Sequence, residues 1–381
     1  MEQSYDVIVV GAGPAGATLA YELAKKQIGV LVLERENLPR YKCCAGGLTS
    51  KTVKLLDFDI SEVVEDVIHM LSFAFDLGSP YVRQHPQPLI YTVMRDAFDH
   101  LLVKKAQERG AMLIDGQKVT QVQMNADRVE VSTLGSVFRS RLVVGADGAH
   151  STVARELGME RNIEYLVAME SETLVAEEEL AKWRSQVRAD LGCVPRGYAW
   201  VFPKRNHLSI GVGCLTTKAK HLDRSLQKFL DSLGIGNYAI SRSGSHLVPT
   251  CTKGRLVCQD KALLLGDAAG LADPLTGEGI YHAILSAQLA APVIAGALAH
   301  GGIRLEEYQD AVDERIMSEL RIARTLSRFF VHFPHLAFRM LSQSEGAWRT
   351  GCQLMRGETT YTAIREGKGG FKGILSRLFQ P

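Results

Sequence analysis

Residues 5–35, YDVIVVGAGPAGATLAYELAKKQIGVLVLER, constrain the fold of this chain more than any other stretch. An apolar run ends at Val10, and Gly11, Gly13 and Gly16 then fill a G-x-G-x-x-G turn. An apolar-periodic segment follows to about Lys26, and a second apolar run ends at Glu34. Strand, glycine turn, helix, strand is the opening unit of a parallel α/β sheet. Glycines are needed in such a turn for its tightness, for close approach of backbone to a pyrophosphate, and for seating helix on strand. The helix start, at Ala15 and Gly16, adds free N–H groups and a partial positive charge. Glu34, with Arg35 beside it, follows about 18 residues past Gly16, where an acid takes the ribose hydroxyls. An acid there repels a 2'-phosphate, so the expected nucleotide is the adenosine half of FAD or NAD and not NADP.

Two later segments repeat the theme. Residues 141–158, RLVVGADGAHSTVARELG, and 262–284, ALLLGDAAGLADPLTGEGIYHAI, each read as a short apolar strand running into an acid and then a helix. Asp147 and Asp267 therefore fall at the C-terminal ends of strands, where open α/β sheets bind ligands. No second G-x-G-x-x-G occurs in the chain, so a nicotinamide donor would visit without a dinucleotide domain of its own.

A different pattern stands at residues 196–213, RGYAWVFPKRNHLSIGVG. Strand alternation puts Tyr198, Trp200 and Phe202 on one side, and Pro203, which donates nothing to a ladder, should end the pairing. Three rings on one face line either an ordinary core or the wall of an apolar pocket.

At 381 residues the chain has room for two domains. With 46% hydrophobic and 23% charged residues it has the composition of a soluble globular protein. A net charge of +2, with Lys and Arg scattered, argues against a nucleic-acid partner. Seven cysteines without a CxxC pair suggest reduced thiols in a cytoplasmic setting and no zinc site. The first residues show no leader pattern. The run at 280–299 approaches the length of a membrane span, but it contains Tyr281, His282, Ser286, Gln288 and Pro292, so a buried helix is expected. Residues 368–381, KGGFKGILSRLFQP, mix basic and apolar residues at helical spacing. That pattern suits either peripheral contact with a membrane or docking on the protein itself.

Taken together, the three α/β segments resemble the FAD-dependent monooxygenase and reductase superfamily with the para-hydroxybenzoate hydroxylase fold. The resemblance implies a Rossmann-like FAD-binding domain, an antiparallel-sheet substrate domain and C-terminal helices. It divides the chain into a discontinuous FAD domain (1–65, 88–155, 255–312), a substrate domain (66–87, 156–254) and a helical tail from 313. It also implies that Asp267 meets the flavin ribityl chain and that the turn from Thr276 through Gly279 to Ile280 offers amides to the flavin ring. By the same resemblance Arg95, heading a long helix, reaches the FAD phosphates, and Val119 lies beside the adenine through its backbone.

Within that superfamily, Y-x-W-x-F-P, seven residues, then G-x-G resembles the signature of the geranylgeranyl reductases. PRYKCCAGGLTSK matches their cysteine and glycines through Cys44, Ala45, Gly46 and Gly47. The implied activity is saturation of C=C bonds in a geranylgeranyl chain on a lipid, diphosphate, quinone or tetrapyrrole, by hydride from flavin N5 plus a proton. Cys44 would lie near the isoalloxazine. Cys44, Tyr198 and Trp200 are then the candidate catalytic residues, with Tyr198, Trp200 and Phe202 walling a prenyl tunnel and Cys43 a buried small hydrophobe. An external donor, NAD(P)H or a ferredoxin-like protein, would reduce the flavin. The same fold also serves oxygen-dependent hydroxylases and halogenases, and a flavoprotein that merely binds prenyl lipid is a third reading.

Overall fold

The computed structural model describes residues 4–252, 254–299 and 304–367; the basic and apolar terminal stretch 368–381 lies outside the described residues. The apolar run before the glycine turn becomes strand Ser4–Val10 of an eight-stranded sheet. It pairs in parallel with Val30–Leu33 on one side and Val137–Gly145 on the other, and Ala262–Leu264 lies parallel beyond the latter. These strands are apolar on both faces because helices cover them. Helix Pro14–Ala24 packs against Arg95–Glu108 and against Ile280–Ala299. The register sets Val10 level with Leu33 and Gly145, and Gly145 level with Leu264. The residues that follow these strand ends, Gly11, Glu34, Asp147 and Asp267, therefore leave the sheet along one edge.

The 20-residue helix Ile280–Ala299 is long and apolar enough to cross a membrane. It buries Ile284, Ala287, Ala290 and Ile294 in the main core instead.

A second sheet has seven strands, in the order Tyr238–Cys251, Ile163–Val175, Leu208–Leu215, Gly197–Pro203, Gln186–Leu191, Met70–Phe75, Tyr81–Gln84. Its joins are antiparallel except one: Gln186–Leu191 runs parallel to Met70–Phe75. The expected antiparallel sheet is thus present, with one parallel join. No hairpin links those two strands; the chain between them passes through the first sheet, and so long a connection permits a parallel pair. Val64–Ile68, Ile90–Val93 and Gly47–Thr49 form a three-stranded sheet.

One face of the seven-stranded sheet sends Ala199, Val201, Ile210 and Val212 into a core with Phe229. The other face looks onto a cavity closed from the far side by the tail helices Ser318–His332, Pro334–Gln343 and Glu345–Arg356. Trp348 meets Phe73 edge to face, and Leu191 clusters with Phe329, Ala337 and Met340.

Candidate active site

One continuous cavity of about 1610 Å³ runs from the edge of the first sheet, past the aromatic strand, to the tail helices. At its first end stands the glycine turn. Gly11 has φ +101°, and a Cβ there would lie 2.4 Å from the Ala146 carbonyl oxygen. A Cβ on Gly16 would lie 1.9 Å from the Gly11 carbonyl oxygen. Gly16 is thus the helix-to-strand contact and does not line the cavity, whereas Gly11, Gly13 and Ala15 do. Gly13 caps helix Pro14–Ala24 without a side-chain hydrogen bond, which leaves the first-turn amides for a ligand.

Glu34 is buried; its Oε2 accepts from Ala12 N at 2.8 Å and its Oε1 from Glu36 N at 3.2 Å. Arg35 and Val119 line the same end. Glu34→Ala is expected to weaken FAD retention by about 1.5–3 kcal/mol, the range for a charged hydrogen bond. Fluorescence titration of the stripped protein with FAD checks this, and an unchanged affinity would remove Glu34 from the ribose.

Arg95, the first residue of its helix, is buried and grips Asp99 with two hydrogen bonds of 2.8 Å. Arg40 Nη1 reaches the same carboxylate at 3.0 Å, and its Nη2 is the nearest atom to a Cβ built on Gly13, at 3.8 Å. Two guanidiniums share Asp99 beside the turn and Arg40 Nε also lies 3.6 Å from Glu34 Oε1, so the charges balance while Arg40 Nη2 stands as a donor where a pyrophosphate would lie.

Asp147 lines the cavity, but its carboxylate is committed to the short helix Thr152–Glu156. It accepts from Ser151 Oγ and Thr152 N, both at 2.6 Å. Asp267 faces His246 Nε2 at 3.6 Å, and Lys42 Nζ lies 2.9 Å from the same imidazole. Burial raises the Asp267 pKa, yet His246, Lys42 and Arg95 outweigh it and hold the carboxyl below its ordinary value. Burial lowers the pKa of both Lys42 and His246.

Gly279 and Ile280 line the wall above a turn in which Asp273 accepts from Leu275 N at 2.7 Å. Opposite, Cys44 Sγ accepts from Gly46 N at 3.4 Å, and Ala45 and Gly47 complete that wall. Lys204, fully buried, donates from Nζ to the carbonyls of Ala45 and Val93 at 2.7 and 2.8 Å. The set fits a flavin dinucleotide: open first-turn amides, an acid at the second strand, guanidinium donors and a glycine-rich far wall lie along one cavity.

Tyr198, Trp200 and Phe202 all face the cavity, and pairing stops at Pro203. The two glycines that follow have a packing reason. The Trp200 indole lies across the neighbouring strand, where a Cβ on Gly211 would stand 2.3 Å from its Cζ2 and one on Gly213 3.2 Å from its Cζ3. Gly47 likewise makes room for Phe202, whose Cε1 would be 2.6 Å from an added Cβ. Tyr198 donates its hydroxyl to the Thr276 carbonyl at 2.6 Å, tying the aromatic strand to the turn that ends at Ile280. Burial, with Asp273 nearby, raises the Tyr198 pKa. Beyond the rings, Leu326, Phe330, Met340, Leu341 and Leu354 continue an apolar wall.

Cys43 departs from its expected place. It is half-buried and lines the cavity, with its thiol pushed up to about 12 by burial and by Glu170. Glu170, Lys42, His246 and Lys204 are site residues that motif reading missed. The signal for Glu170 was present in YLVAMESETLV, where two acids alternate within an otherwise uncharged run.

Residues 4–228 match the FAD binding domain family. Menaquinone reductase of Mycobacterium tuberculosis is 31% identical, over 99% of this chain and 98% of its own. Digeranylgeranylglycerophospholipid reductase 1 of Methanococcoides burtonii is 30% identical over 84% of this chain and 79% of its own. A geranylgeranyl bacteriochlorophyll reductase-like structure from Thermoplasma acidophilum superposes with TM-score 0.81 at 22% identity, covering 96% of this chain and 100% of that one. The flavin-dependent brominase Bmp2 shares the fold at TM-score 0.77 and 21% identity, covering 93% and 94%. An FAD-binding domain whose match extends into the aromatic strand, and relatives aligned along most of the chain, give the conclusion: the protein belongs to the FAD binding domain family and, within it, to the FAD-dependent reductases of the geranylgeranyl reductase type.

Proposed function

We propose that the protein saturates carbon–carbon double bonds in a polyprenyl chain borne by a lipid, quinone or diphosphate, with electrons from an external donor. The carrying observation is the wall of Tyr198, Trp200 and Phe202, tied by the Tyr198 hydroxyl to the 276–280 turn and continued by apolar tail helices. An isolated alkene offers no carbonyl to hold charge between the two additions, so the site has to be dry, apolar and close-fitting. FAD, when bound, supplies the hydride. The chain's own residues position the alkene between the rings and the Cys44 wall, exclude water, and deliver a proton. Rigid rings suit this work because they present area at little conformational cost. Menaquinones and digeranylgeranylglycerophospholipids, the molecules in the names of the two relatives, have polyprenyl chains in common.

The test is anaerobic. Chemically reduced protein, mixed under argon with geranylgeranyl diphosphate or a geranylgeranylated lipid, is expected to reoxidise its flavin and add two mass units per bond saturated. Reoxidation that requires oxygen and adds sixteen units would establish hydroxylation instead. A bound lipid with neither change would establish a carrier.

A further inference from the structure

Glu170 pairs across the sheet with Gly244 on one side and Gly211 on the other. Side chains from elsewhere fill the space left by both glycines. A Cβ on Gly244 would lie 3.5 Å from Cys43 Cβ and 3.6 Å from its Sγ, and one on Gly211 would meet the Trp200 indole. Glu170 therefore stands between a thiol and an indole, 1% exposed, in the cavity wall. Its Oε2 accepts from Trp200 Nε1 at 3.1 Å. Its Oε1 has no close hydrogen bond; the Ser209 hydroxyl beside it is a weak donor to the carboxylate.

A carboxylate so placed loses its hydration with only one strong hydrogen bond in return, which favours the neutral acid. The groups facing it do not reverse this. Glu172, two positions along the strand, opposes a second negative charge, while Lys204, the Trp200 N–H and the Ser209 hydroxyl favour the ion. Cys43 and Tyr41, above it, are held neutral by burial. Burial and Glu172 together push the carboxyl up to about 7.

Glu172, on the same face of the strand two positions from Glu170, is linked outward to solvent. Glu172 accepts from the Tyr41 hydroxyl at 3.2 Å and lies 2.9 Å from His207 Nε2. His207 Nδ1 lies 2.7 Å from Oδ1 of Asn206, which is exposed.

We propose that Glu170 is the proton store of this site, giving up the proton that the alkene gains and refilled from solvent through His207 and Glu172. The proposal rests on the reductase reading. In balance, the alkene π bond breaks and two C–H bonds form. Reduced FAD provides hydride and both electrons to one carbon, Glu170 provides the proton to the other, and the carboxylate regains its proton from water.

The experiment compares the FAD-loaded parent with Glu170→Gln, which keeps an acceptor for Trp200 Nε1 but holds no acid. Two readouts are used: infrared titration of the protonated carboxyl band, and single-turnover reoxidation by geranylgeranyl diphosphate under argon across pH. A group with a raised pKa holds its proton below that value and loses it above, so parent turnover should fall as pH rises past about 7. In Glu170→Gln the rate should drop on the order of a hundredfold, the pH inflection should vanish, and the infrared band should disappear. A Gln variant within a few-fold of the parent and with the same inflection overturns the proposal while leaving the reductase reading intact. A parent that never reoxidises under argon overturns the reductase reading, and this proposal with it. Should the Gln variant not fold, a parent with no carboxylic acid titrating near neutrality overturns it equally.

Discussion

Trp200→Ala is expected to cost both turnover and stability, and in separable amounts. The indole is 8% exposed, lies across Gly211 and Gly213, and bonds Glu170, so its removal opens a large void and strips a buried carboxyl of its donor. Truncations of this kind cost about 3–5 kcal/mol. The rate loss has a different cause: an alkene leaning into the void sits at the wrong distance from the hydride source, and a misplacement of about 1 Å can cost on the order of a hundredfold. Thermal melts and single-turnover reoxidation, the latter run well below the variant's melting temperature, distinguish the two. Parental turnover in the still-folded variant would reduce the aromatic strand to ordinary core. Gly211→Ala is the companion: it deletes nothing, but its Cβ falls 2.3 Å from Cζ2, so the indole must tilt away from Glu170.

Gly16→Ala should strike harder at the other end of the cavity. The added methyl would stand 1.9 Å from the Gly11 carbonyl oxygen, so relief requires helix Pro14–Ala24 to lift off strand Ser4–Val10. Overpacking usually costs about 1–3 kcal/mol, and the upper part of that range or beyond applies where no side chain can yield. Lifting the helix also withdraws the first-turn amides from the nucleotide. A ligand at about a thousand times its Kd contributes roughly 4 kcal/mol to apparent stability, and that contribution goes too. The expected product is colourless protein with a depressed melting temperature that added FAD does not restore. Full FAD occupancy and a parental melt would show that the contact is not needed.

How much of this was legible in the sequence depended on how local each signal is. The glycine turn, Glu34, and the acids Asp147 and Asp267 are short-range patterns fixed by strand and helix periodicity, and all four strand ends came out on one edge. The alternation of Tyr198, Trp200 and Phe202 was equally local. Why Gly211 and Gly213 follow them was not, because the indole that excludes a side chain there sits on another strand. Cys43 was misread for the same reason: its surroundings come from Glu170 and Gly244, far along the chain. The parallel join of Met70–Phe75 with Gln186–Leu191 leaves no trace in either strand's own residues.

That join also makes the seven-stranded sheet impossible to excise. Met70 is level with Gln186, roughly 115 residues later, and those residues include strands Val119–Met124 and Val137–Gly145 of the other sheet. Closing a flexible loop of that length costs about 4 kcal/mol of chain entropy unless the intervening chain is already folded. No contiguous fragment carries the whole roof of the cavity without part of its floor, and recombination that exchanged one for the other would have to cut the chain in at least two places.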